Sequence, residues 1–132
     1  MASEERFASE PTGAGRWPEA IRLERATQLL HIRFDDGTSF ALPAEYLRVE
    51  SPSAEVQGHG PGQKRIIGGK AGVAITGVEP VGNYAVRLRF DDGHDTGLYT
   101  WTYLYELGRD QGEKWQTYLH ALESRGLRRH QG

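Results

Sequence analysis

Apolar residues alternate with polar ones at Ile21 and Leu23, and again at Leu30, Ile32 and Phe34. A period of two is that of a strand with one buried face. The chain then reads FDDGTSFAL, in which Asp36-Gly37 signals a hairpin turn and Phe40 and Leu42 mark the returning strand. Pro43 suits the first position of a short helix over AEYL. A long polar, glycine-rich loop follows, ESPSAEVQGHGPGQKR at 50–65, before hydrophobic residues resume.

The second half repeats the first. HIRFDDGTSFALPAEYL and RLRFDDGHDTGLYTWTYL run in parallel, matching Phe34-Asp35-Asp36-Gly37 to Phe90-Asp91-Asp92-Gly93 and Tyr46-Leu47 to Tyr103-Leu104. Upstream, Leu23-Glu24 is matched to Val78-Glu79. The register slips by one residue beside His94, which predicts a bulge or a longer turn there. Each half therefore reads strand, strand, FDDG turn, strand, short helix. The aspartates are read as solvated turn residues rather than paired catalytic carboxylates.

Past Gly108, read as a helix stop, Asp110 and Glu113 have capping-box spacing, and Trp115, Tyr118, Leu119 and Leu122 form a helical stripe expected to lie on the sheet. The fold class is thus α+β: two related antiparallel β units with short helices and a C-terminal amphipathic helix. Their shared core is expected to contain Leu30, Ile32, Phe34, Phe40, Val86, Leu88, Phe90 and Leu98. Residues 17–125 form the single domain, with 1–16 a flexible tail and 126–132 a flexible basic one.

Composition narrows the chemistry. A chain of 132 residues supports one core, and a net charge of −2 supplies no basic field for nucleic acid or membrane. There is no cysteine, so thiolate catalysis, disulfides and cysteine-ligated metals are excluded. No stretch has the length and apolarity of a membrane span, and residues 1–19 lack the apolar run of a signal peptide, so a cytoplasmic location is expected.

Familiar catalytic motifs fail on spacing. Lys70 has Lys64 six places before it, where a phosphate-binding loop needs glycine, and Ala71 after it, where that loop needs Ser or Thr. No histidine has Asp two places on, as iron oxygenases often do, and no G-x-S-x-G elbow occurs.

The segments WPEAIRL, LRVESPSAEVQGHGPGQK and FDDGHDTGLYTWTYL resemble the DUF971 family, also described as the gamma-butyrobetaine hydroxylase-like N-terminal domain. The resemblance covers about 17–107. Relatives occur as small bacterial proteins, as the N-terminal module of 2-oxoglutarate-dependent dioxygenases, and fused to carriers of iron–sulfur clusters. The resemblance implies a zinc site in the dioxygenases, with three cysteines and one histidine. Those positions fall here at Ser51, Ser53, Val56 and His94, so three of the four ligands are lost. Catalysis does not carry over, because the oxygenase domain is separate.

Two function classes follow. The first is a noncatalytic binding or adaptor module, possessing no certain cofactor and docking a protein partner through the 51–64 loop and Arg48, Lys64, Arg65 and Lys70. The fusions associate it with iron–sulfur assembly. The second is a metal-binding protein that holds a transition metal at a nitrogen and oxygen site made by His94 and His59 with Glu55 or Asp95. The alternative for His94 is a hydrogen bond to the loop backbone that replaces the metal.

Overall fold

The computed structural model describes residues 3–5, 17–58, 60 and 62–130. Its strands are β1 (Ser3–Glu5), β2 (Pro18–Glu24), β3 (Leu29–Phe34), β4 (Ser39–Pro43), β5 (Ile75–Val81), β6 (Ala85–Phe90) and β7 (Leu98–Thr100). The helices are α1 (Ala44–Val49), α2 (Ala54–Gln57), α3 (Trp101–Arg109) and α4 (Gln111–Ser124). Strands β1-β2-β3-β4 form one antiparallel sheet and β5-β6-β7 the other, which makes this an α+β fold of two related units. Part of the segment expected as an N-terminal tail, Ser3–Glu5, pairs with the outer edge of β2.

Alternation builds both sheets. Leu30, Ile32 and Phe34 on β3 and Val86, Leu88 and Phe90 on β6 are all buried in one cluster, with Tyr46, Tyr99 and Leu104. The internal repeat extends to the turns. Phe34 N–H donates to Thr38 O and Phe90 N–H to His94 O, while Gly37 and Gly93 both adopt positive φ, 88° and 91°. In each copy the second aspartate accepts the amide two residues on: Asp36 from Thr38 and Asp92 from His94. The first aspartate ties the turn to the incoming strand, Asp35 exchanging bonds with Trp17 and Asp91 with Ala74.

The one-residue slip is present, as a longer second connection. Leu30 faces Leu42 across β3 and β4, but its counterpart Val86 faces Tyr99, one place further than an unslipped repeat would give. Because side chains alternate faces, Tyr99 enters the core and Leu98 stands opposite Arg87, 39% exposed. Leu98 is thus corrected out of the expected core. The upstream match is corrected too: Ile21 faces Ile32 where Val78 faces Leu88, so Val78 corresponds to Ile21 rather than Leu23. That two-residue error leaves the buried face unchanged.

Several helix features depend on contacts that are distant in sequence. Pro43 closes β4, and α1 starts at Ala44. Gly108 lies within α3 and does not end it; a Cβ there would sit 2.3 Å from Cγ of Phe40, so the ring demands the missing side chain. Asp110 makes no cap hydrogen bond to α4, because its carboxylate is engaged by Arg109. Helix α4 packs Tyr118 and Leu122 against Val49 of α1 and Ile66, and Trp115 against Tyr46, so the stripe covers α1 instead of the sheet.

Tyrosine hydroxyls fasten the helices. Tyr46 of α1 donates to Leu107 O of α3, and Tyr103 of α3 donates to Glu50 O just past α1. Tyr99 donates to Leu47 O and Tyr118 to Ile67 O. Burial raises all four phenols, that of Tyr118 to about 12, so they remain protonated donors at neutral pH.

Gln28, at φ 55°, links the units. Its carbonyl accepts Ala44 N–H at the start of α1, and its Oε1 accepts Ile75 N–H at the start of β5. The basic C-terminal segment is also held: Gly69 N–H donates to Arg128 O and Ala71 N–H to Arg129 O, while Arg129 grips Glu45 with two nitrogens. Within the segment expected as a flexible basic tail, 128 and 129 are thus hydrogen-bonded to the 69–71 segment.

Candidate functional site

The loop that follows α1 returns to the second hairpin through its first few residues. Extended backbone at Ser53 precedes α2, so that Ser51 and Ser53 lie together and Glu55 falls in the first turn of the helix. On the facing side, the extra residue after the FDDG turn places His94 under them. Ser51 Oγ lies 2.8 Å from His94 Nε2, Ser53 Oγ lies 3.4 Å from it, and Glu55 Oε2 lies 3.6 Å from Nδ1. Gln57 Nε2 donates to Ser51 O and Thr96 Oγ1 to Glu55 Oε1, fastening both ends of the cluster.

His94 therefore bonds the loop through a side-chain hydroxyl, not through backbone. Its pKa is lowered, chiefly by burial and then by the Arg48 charge, so the imidazole is neutral at neutral pH. Hydroxyl, imidazole and carboxylate stand in the order of an acyl-transfer triad, a grouping that spacing alone did not reveal. Access decides against that chemistry: Ser51 is 0% exposed, and a Cβ on Gly97 would approach its Oγ to 2.6 Å. A nucleophile sealed this closely meets no substrate.

The same cluster tests the inherited zinc site. Its donors are two neutral hydroxyls and an imidazole nitrogen already committed to one of them, while Val56 contributes only a buried aliphatic side chain. This set does not fit tetrahedral zinc with three thiolates. Of the four residues predicted for an alternative metal, Glu55 and His94 come together, but Asp95 reaches toward Arg89 at 3.9 Å. His59 lies outside the described residues. Among the described residues no three His, Asp or Glu side chains gather as a metal site.

The predicted basic surface divides differently. Arg48 is buried, and its Nε and Lys70 Nζ both donate to Asp92 Oδ2, at 2.8 and 2.6 Å. Burial would raise the Asp92 carboxyl, but Lys70, the His94 amide and Arg48 bring it down to about 2. Lys64 pairs with Glu50 at 2.5 Å, while Arg65 is exposed and unpaired among the described residues. Arg48 and Lys70 thus anchor the second turn through Asp92.

Fold and site together define a class: a two-unit α+β domain in which a polar loop is pinned to the second hairpin by hydroxyl–imidazole contacts. The chain belongs to the gamma-butyrobetaine hydroxylase-like, N-terminal family, which it matches over residues 21–105. Among solved structures, one NMR solution structure is 52% identical with a TM-score of 0.76, covering 86% of this chain and 90% of its own. A second NMR solution structure is 44% identical, TM-score 0.77, with 92% and 91% covered. A DUF971 protein of unknown function from Acidithiobacillus ferrooxidans is 40% identical, TM-score 0.59, with 69% and 91% covered. No curated protein matches the chain. Among the described residues, no helix is long and apolar enough to cross a membrane.

Proposed function

We propose that this chain is a noncatalytic binding module that presents the polar loop beginning at Ser51 to a protein partner. The observation that carries the reading is the side-chain fastening of that loop, Ser51 to His94 and Gln57 to the Ser51 carbonyl. Preorganising a recognition loop lowers the ordering cost of binding. A sealed hydroxyl, by contrast, serves shape rather than chemistry. Iron–sulfur assembly is the setting that the family's fusions suggest, by association only.

The test is affinity capture from an extract of the native organism, comparing wild type with a variant in which 54–64 is replaced by a Gly/Ser linker. At least one protein retained by wild type and lost by the variant is the expected result. An identical set from both, with the variant still folded, overturns the reading.

A second reading is metal binding at His94, motivated by the approach of Glu55 to Nδ1 at 3.6 Å. Titration of untagged protein with zinc or iron(II), followed through the His94 and His59 imidazole signals, separates the two. Saturable shifts lost in H94A favour the metal.

A further inference from the structure

Two segments of this chain are basic and free of acid: 62–74, with Lys64, Arg65 and Lys70, and 124–130, with Arg125, Arg128, Arg129 and His130. The fold lays them side by side. Gly69 and Ala71 donate to the carbonyls of Arg128 and Arg129, and Gly68 admits this closeness because a Cβ there would lie 2.7 Å from Arg128 O. Arg65, Arg125 and Arg128 are exposed, and none of them makes an ion pair among the described residues. Leu127, 41% exposed, lies between Arg125 and Arg128 along the chain.

A cavity of about 430 Å³ opens beside this seam, lined by Lys70, Arg129, His130 and Gly72 together with Asp91 and Asp92. Those carboxylates are already engaged, Asp91 by the Ala74 amide and Asp92 by Arg48, Lys70 and the His94 amide. Glu45 likewise neutralises Arg129. The uncompensated positive charge therefore lies outside the cavity, on Arg65, Arg125 and Arg128.

We propose that this seam docks an acidic protein segment, with carboxylates on the exposed arginines and an apolar side chain on Leu127. This rests on reading the chain as a binding module; the seam adjoins the 54–64 loop, because Arg65 N–H donates to Val56 O, but Arg125, Leu127 and Arg128 lie outside that loop. Arginine forks pair carboxylates in two-point geometry. Nucleic acid fits less well. Strong phosphate-backbone binding uses on the order of 6–10 contacts, whereas the seam offers few free cations, has aspartates on the adjoining wall, and belongs to a chain of net charge −2.

The experiment uses the full chain and a fluorescent Glu-rich peptide with a central leucine, with oligouridylate as the competing probe. The expected result is saturable, salt-sensitive binding of the peptide, with amide shifts confined to 65–73 and 125–130. R125E/R128E should weaken it about tenfold, as expected for two reversed exposed charges. Both side chains are exposed, and an unchanged amide spectrum elsewhere verifies that the variant is folded; R125Q/R128Q serves if it is not. Absence of saturable binding, equal affinity of the folded variant, or tighter binding of oligouridylate overturns the proposal. Loss of the peptide effect with the loop-dependent partner retained removes the seam alone.

Discussion

Tyr46 and Tyr103 occupy matching positions in the two halves and make reciprocal contacts, Tyr46 donating to Leu107 O in the last turn of α3 and Tyr103 to Glu50 O just past α1. Replacing either by Phe removes the donor and leaves a carbonyl short of a partner. We expect each variant to lose about 1 kcal/mol in denaturant unfolding, Y46F more than Y103F because Tyr46 is the more deeply buried.

Ser51→Ala leaves a nearly sealed imidazole nitrogen facing a methyl group. The loss should be about 1–3 kcal/mol, read as a lower denaturant midpoint at unchanged slope, and S51A/S53A should lose more, because Ser53 is the remaining hydroxyl near Nε2.

Acidification acts through the same imidazole. His94 is held below its ordinary value of 6.5, so between its folded and unfolded pKa the unfolded chain binds more protons. Stability is full above 6.5 and falls as pH drops below it. Thermal melts across this range should show the decline in wild type and a flatter profile in H94Q.

Asp92 carries a similar dependence at lower pH. Its carboxyl is drawn from 3.8 to about 2, so its contribution is present above 3.8 and is lost as pH falls toward 2. D92N should lose about 3 kcal/mol near neutrality, because it leaves Arg48 buried without its counter-ion. The variant should also lose part of the acid limb of the stability curve.

Gly108→Ala pushes a methyl group into the Phe40 ring, at a cost of about 1–3 kcal/mol. F40L in the same chain should recover part of that loss, and the coupling in a double-mutant cycle is the quantity to measure.

How far the sequence foretold this molecule depends on the range of each contact. The strands, the doubled FDDG turn and the slip beside His94 are written in neighbouring residues, and alternation fixes their buried faces. Leu98 was misassigned because one extra turn residue reverses every later face. Gly108 looks like a helix stop until Phe40, from the other half, is placed against it. Arg48 looks available until Asp92 arrives from another hairpin. At the site, Ser51 and His94 are recognisable as family positions and Glu55 as a candidate partner of His94, but the convergence of Ser51, His94 and Glu55 needs the folded turn of α2.

Gln28 constrains which replacements its position tolerates. Glycine would relieve its positive φ and asparagine would tolerate it, yet glycine loses the Oε1 bond to Ile75 and asparagine is one methylene shorter. One residue thus meets two demands at once, its backbone serving the first half and its side chain the second. Either replacement weakens the acceptor for the Ile75 amide and leaves the two halves less firmly joined at this hinge of the repeat.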